Sequence, residues 1–254
     1  MNPDWGVHLA AVWRPARREL RPVRRRDPVR LADLLGVEAQ KQKLVRNIER
    51  FLNGEPCNHV LLHGSRGTGK SSLVKALPNE YGEQGLRLIQ VDRDDLVDLP
   101  DIVDEIRERP QRFVLYCDDL TFEAGETGYR HLKSVLEGSI ELPPENVLLH
   151  VTSNRRHLVP EYRSENLDTR VVNGEIHHGD AVEEKISLAD RFGLHLSFHP
   201  VSEAQFFAMV DYLFPEVGDR EALHVAARRF SIERGGRSGR VARQFYNQYA
   251  GEFE

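Results

Sequence analysis

His59-Val60-Leu61-Leu62-His63 runs straight into Gly64-Ser65-Arg66-Gly67-Thr68-Gly69-Lys70-Ser71, and a helix-forming stretch leaves it. Strand, glycine loop, helix: that order decides the reading. The loop fits G-x-x-x-x-G-K-[S/T], a pattern that cradles phosphates. Its glycines let backbone N–H groups turn inward, and the helix N-terminus adds partial positive charge. Gly64, Ser65, Arg66, Gly67, Thr68, Gly69, Lys70, Ser71 and Ser72 are therefore candidate nucleotide-binding residues. In such a loop the lysine reaches the β- and γ-phosphates of ATP, and the residue at Ser71 ligates Mg²⁺.

Outward from the loop, four more short apolar segments read as buried strands, at residues 86–91, 113–117, 147–152 and 194–198. They are apolar nearly throughout, as strands covered on both faces must be. Helical segments separate them at 70–81, 101–108 and 129–137, and a first helix spans about 37–53. Strands alternating with helices imply a parallel sheet with right-handed crossovers. Pro78 falls inside the helix after the loop and is expected to end or kink it. The stretch from about 160 to 180 reads as irregular. After Pro200 only helices follow, opening with the capping box Ser202-Glu203-Ala204-Gln205.

Arg112-Phe113-Val114-Leu115-Tyr116-Cys117-Asp118-Asp119 supplies the second half of a site. It sets carboxylates at the C-terminal edge of a strand, where ligands of open α/β sheets bind. Asp118 suits Mg²⁺. Asp119 suits the orientation or deprotonation of an attacking water.

With these residues in place, the chain resembles the AAA+ ATPases over about residues 31–249. Within that class it is most like an uncharacterised bacterial family of single-AAA+-domain ATP-binding proteins, through Gly67-Thr68-Gly69-Lys70-Ser71-Ser72-Leu73-Val74-Lys75-Ala76-Leu77 and Glu183-Glu184-Lys185-Ile186-Ser187-Leu188. The resemblance implies a five-stranded parallel P-loop sheet with a small all-α lid. The division it implies is an Arg/Pro-rich arm at 1–30, an α/β nucleotide-binding domain at 31–199 and a helical lid at 200–254. It casts Asn154, after the strand at 147–152, as sensor 1. Arg240 becomes the sensor 2 residue, with Arg243 as alternate. Arg191 becomes an arginine finger acting on a neighbouring subunit, with Arg170 and Arg163 as rivals. Leu35 and Val37 lie in the segment packing near adenine. AAA+ proteins usually carry Asp-Glu where this chain has Asp118-Asp119. Asp is one methylene shorter, which implies a base set farther from the water.

The 254 residues are 40% hydrophobic and 30% charged, enough for a core with a soluble surface. Net charge is −5, but residues 1–30 carry eight arginines against three acids, leaving −10 on the remainder. The arm reads as a solvated extension, dispensable for ATP binding, with contact to phosphate or an acidic surface as the other reading. Two cysteines, Cys57 and Cys117, build no disulfide framework and point to a reducing cytoplasm. No secretory signal or 18-residue apolar run is present, so no membrane is expected. His177-His178 lacks the companions of a zinc site, and the acidic run from Asp92 to Glu105 reads as a solvated face.

The expected activity is ATP hydrolysis with Mg²⁺, driving conformational change in an unidentified protein or nucleic-acid client, with a homo-oligomer in the ATP state. Two alternatives remain open. One is a nucleic-acid loader using the basic arm and Arg155-Arg156. The other is an ATP sensor with little hydrolysis. A threading unfoldase fits less well, since residues 92–111 hold no aromatic residue or glycine with which to grip a polypeptide.

Overall fold

The computed structural model describes residues 3–121, 129–137, 142–154, 170–172, 175–177 and 188–253. In chain order the elements are β1 (Ala10–Arg14), β2 (Glu19–Pro22), α1 (Glu38–Leu52), β3 (Val60–Gly64), α2 (Lys70–Tyr81), β4 (Leu86–Gln90), α3 (Leu99–Ile106), β5 (Arg112–Cys117), α4 (Tyr129–Glu137), β6 (Val147–Ser153), β7 (Arg170–Val172), β8 (Glu175–His177), β9 (Leu194–Phe198), α5 (Glu203–Leu213), α6 (Arg220–Glu233) and α7 (Gly239–Tyr249).

Seven strands form one sheet in the order β2-β1-β4-β5-β6-β3-β9. Every pairing is parallel except β1 with β2. The five expected strands form its contiguous core, with the loop-bearing β3 between β6 and β9. The period of a strand sorts its side chains. On β5, Phe113, Leu115 and Cys117 enter one apolar layer, while Val114 and Tyr116 enter the layer under α1 and α2.

The count of five is corrected to seven, and both additions come from the segment read as an arm. β1 lies parallel to β4, Ala10 opposite Leu88, and β2 turns back along β1. Trp5, Trp13 and Leu20 are buried in the core. Trp5 meets Phe113 edge to face at 5.0 Å, and Trp13 Nε1 donates to Asp98 Oδ2 at 2.8 Å. Arg87 Nε donates to the Trp5 carbonyl at 2.8 Å. Short strands with Arg14 and Arg21 exposed and Trp13 and Leu20 buried have little net hydropathy. Charge therefore hides their apolar half.

Helix α2 continues through Pro78 to Tyr81. Proline removes its own N–H bond and crowds the carbonyl one turn back. Burial of Leu77, Pro78 and Tyr81 against the sheet offsets that loss. Between 160 and 180 the described residues form the antiparallel ribbon β7–β8. The capping box forms: Gln205 N donates to Ser202 Oγ at 3.2 Å and Ser202 N to Gln205 Oε1 at 3.0 Å. Helices α5 to α7 close on their own cluster, including Phe206, Val210, Phe230 and Phe245. Cys57 and Cys117 are free thiols. Among the described residues no helix is long and apolar enough to cross a membrane.

Candidate functional site

The loop after β3 owes its path to glycine at two positions. Gly64 has φ +125°, and a Cβ there would come within 2.0 Å of the Phe198 carbonyl oxygen. Gly67 has φ +71°, and a Cβ there would meet Ser238 Cβ at 2.7 Å. Both combine a left-handed backbone with close approach, which only glycine combines at low cost. Thr68 Oγ1 ties the loop to the Ser65 carbonyl at 2.8 Å.

Lys70 opens α2 and is buried. Its ammonium donates to the carbonyls of Gly64 (2.8 Å) and Ser65 (2.7 Å), and to Asn154 Oδ1 (3.2 Å). Burial draws its pKa below the ordinary lysine value, while the carboxylates of Asp119 and Asp118 pull the other way. Asn154, just past β6, donates its amide to Asp119 Oδ1. Lys70, Asn154 and Asp119 thus form one hydrogen-bonded chain from α2 across two strand ends.

Asp118 Oδ1 accepts from Ser71 Oγ at 2.7 Å and from Thr152 Oγ1 at 2.6 Å. Burial alone would raise its pKa, but these bonds to the ionised form outweigh it and hold the carboxyl below its ordinary value. Asp119 sits at φ +53°, in the left-handed region. Its amide donates to Thr152 Oγ1 at 2.9 Å, and Leu120 N donates to the Thr152 carbonyl at 2.7 Å. One buried threonine therefore grips three successive residues after β5. Thr152 is missing from the residues singled out by sequence, although a hydroxyl at the end of a largely apolar strand, two residues before Asn154, is a visible signal.

These groups share a cavity of about 770 Å³. Of the residues singled out from sequence, Arg66 to Ser72, Asp118, Asp119, Asn154, Leu35, Val37, Arg240 and Arg243 line it. Gly64 and Ser65 lie at the loop's entry, where Ser65 N bonds the Phe198 carbonyl at 3.0 Å. Arg191 follows a helical turn at 188–190 and is not among the lining residues. The side chain of Arg170, and Arg155, Arg156, Arg163, His178 and residues 183–187, lie outside the described residues.

The C-terminal helices complete the cavity. Gly239 N, at the start of α7, donates to the Gly67 carbonyl at 3.0 Å, so α7 and the loop touch through backbone. Tyr212 Oη on α5 donates to Asp33 Oδ1 at 2.8 Å. Gln205 Nε2 donates to the Gly36 carbonyl at 3.3 Å. None of these bridges is legible in the sequence. Nor are Asp27, Pro28 and Val29, which also line the cavity.

The oxygen donors of Ser71 and Asp118 suit a hard divalent cation such as Mg²⁺. The inward loop and buried ammonium suit a polyphosphate.

Comparison with known proteins agrees with the fold. The RuvB Holliday junction branch migration motor of Thermotoga maritima superposes with a TM-score of 0.50 at 16% identity, over 87% of this chain and 72% of that one. A proline-to-glycine mutant of the same RuvB gives 0.53 at 15% identity, over 88% and 73%. In sequence, the replication factor C large subunit of Staphylothermus marinus is 35% identical over 69 residues, 27% of this chain and 16% of the relative. That of Sulfolobus acidocaldarius is 35% identical over 78 residues, 30% and 18%. The chain thus spans less than a fifth of the length of these relatives. A family model described as "Protein of unknown function (DUF815)" matches residues 6–253. The chain belongs to the DUF815 family, and its fold, a seven-stranded, mostly parallel sheet with C-terminal helices, is of the RuvB-like AAA+ kind.

Proposed function

We propose that this protein binds ATP with Mg²⁺ in the 770 Å³ cavity and hydrolyses it to drive conformational change in a macromolecular partner. The observation that carries the reading is the hydrogen-bonded chain Lys70–Asn154–Asp119 beside the Ser71–Asp118 pair, all in one cavity. Lys70 would neutralise phosphate charge. Ser71 and Asp118 would hold the metal, which when bound offsets charge on the transferred phosphoryl. Asp119 would accept a proton from water, and Asn154 would position both base and phosphate without titrating. Arg240 or Arg243, on the lid helix, would report the γ-phosphate to the lid.

The boundary near residue 200 is retained as a functional one, with 200–254 acting as a lid on the loop, while residues 1–30 are counted with the α/β unit whose sheet β1 and β2 join. Arg191 is assigned to a neighbouring subunit's site in an ATP-bound homo-oligomer. If mixing Arg191→Ala with Lys70→Ala restores no activity in co-assembled subunits, that assignment fails. A cytoplasmic location fits the free thiols. Calorimetry with ATP·Mg²⁺ tests the core of the reading. Lys70→Ala should bind about a hundredfold more weakly, since it removes one partner of a buried charge contact. Undiminished affinity in a folded variant overturns it.

A nucleic-acid adaptor is the second reading. Arg14, Arg21, Arg24 and Arg25 are exposed, and unlike Arg18, which pairs with Asp101, they carry no ion pair among the described residues. Phosphate backbones are a fitting partner for such a surface.

A further inference from the structure

Helix α2 works at both ends. Its first turn carries Lys70 and Ser71. Its last turn holds the N-terminal segment. Asn79 Nδ2 donates to the carbonyls of Asp27 and Val29, both at 2.8 Å, and its Oδ1 accepts from Arg26 Nε at 3.2 Å. Next to it, Glu80 Oε1 accepts from Leu31 N at 3.2 Å. Asp27 Oδ1 takes the Val29 amide at 3.2 Å and so closes a turn around Pro28. One amide side chain makes three bonds to a segment some fifty residues away in sequence, all but one to the backbone.

The turn so clamped is a wall of the cavity. Pro28 and Val29 line it, together with Leu34, Leu35, Met209 and Leu213. These apolar groups offer no partner for phosphate. They suit a flat heterocycle, whose faces are satisfied by apolar contact. The polar residues of the same cavity, Lys70, Ser71 and Asp118, supply the opposite chemistry.

We propose that Asn79 is a positioning residue for the nucleobase, holding residues 27–29 as the base-side wall of the site. The N-terminal segment is then part of the nucleotide site, which rests on the ATP reading above. Because Asn79 grips backbone, it sets where the wall stands, while Pro28 and Val29 supply its surface.

Calorimetry on the full chain with two probes tests this: ATP·Mg²⁺ and inorganic tripolyphosphate·Mg²⁺. Asn79→Ala should weaken ATP about tenfold, as expected for losing a few hydrogen bonds that order a wall. Tripolyphosphate should bind within about twofold of wild type, because it uses only the polar groups. Val29→Ser alters the wall and spares the clamp. It should weaken ATP about threefold with tripolyphosphate unchanged, and it decides the matter if Asn79→Ala does not fold. If wild type binds both probes and the variants weaken both equally, or neither, the base-wall assignment is overturned while the ATP reading stands. If wild type binds neither probe, the ATP reading itself fails and takes the wall with it.

Discussion

The loop at residues 64–71 and the hairpin at residues 10–22 belong to one sheet but follow different rules. The loop's chemistry is contiguous: glycines, a lysine and a serine at fixed spacing, entered by a strand and left by a helix. Part of its bonding stays within a few positions, as in Lys70 to Gly64 and Thr68 to Ser65, and its outward bonds to Asp118, Asn154, Phe198 and Gly239 start from residues the motif already specifies. The hairpin and the turn before it find distant partners: Ala10 beside Leu88, Trp13 on Asp98, Trp5 on Phe113. A local motif announces itself in the order of residues. A strand that joins an existing sheet does so through surfaces other segments supply, and its own residues need only be compatible.

The sharpest break between the two regions should come from the loop side. Asp119→Asn preserves shape but is a far weaker base. ATP should still bind, while turnover falls by ~10²–10⁴, the usual range for a general base. A colorimetric phosphate assay at saturating ATP decides this, and wild-type turnover would move the protein toward the sensor reading. The hairpin should respond in the opposite way. Trp13→Ala should lower stability by about 3–5 kcal/mol, as large-to-small core changes do. Urea unfolding measures it. A loss under about 1 kcal/mol, the scale of an ordinary surface change, would restore the picture of a dispensable arm. The burial of Trp13 and Leu20 argues instead that deleting residues 1–30 damages the fold.

Acid should separate them further. Burial lowers His59 to a pKa of about 4 and, aided by His59, lowers His150 to about 3. Both are therefore neutral in the fold, while the unfolded chain takes up protons near the ordinary 6.5. Their contribution is full above about pH 6.5 and declines as pH falls toward 4 and then 3, by about 1.4 kcal/mol per pH unit for each. These histidines lie at the foot of β3 and on β6, and β1 and β2 contain none. His150→Phe should remove its share of the slope in unfolding curves between about pH 6 and 4. An unchanged slope would mean that His150 is not held neutral.

Thr152 offers a finer cut within the loop region. Thr152→Val keeps the shape and removes the hydroxyl that holds Asp118 and the Asp119 amide. The Mg²⁺ concentration for half-maximal ATP turnover should rise about tenfold, and Thr152→Ser should restore it. A Val variant with normal Mg²⁺ demand would reduce Thr152 to packing. The smallest effect expected is on the hairpin's surface. Replacing Arg14, Arg21, Arg24 and Arg25 with Ala should leave ATP affinity unchanged and flatten the salt dependence of single-stranded DNA binding by up to about three units of slope. Equal binding by both proteins at low salt would exclude the adaptor role of this surface.

Much of the core was legible, because buried parallel strands are apolar nearly throughout and the helices between them are periodic. Asp118 and Asn154 stood out as polar residues ending apolar strands. Asn79 did not, since an asparagine after Pro78 reads as a helix end, and its partners at 26–29 come from another part of the chain. Arg191 stays apart from this chain's own cavity, and nothing in its immediate sequence says which surface it serves.

By itself, the order of residues determined the phosphate loop, the strand–helix alternation and the helical C-terminus. These depend on backbone geometry and periodicity, which are written locally. Only the tertiary structure decided that the arginine-rich start is a hairpin of the sheet, that Thr152 holds both aspartates, and that Asn79 and Tyr212 shape the cavity's far side. Each of those is a contact between segments distant in sequence. A side chain's type limits which hydrogen bonds it can make, but the fold alone decides which partner arrives within reach.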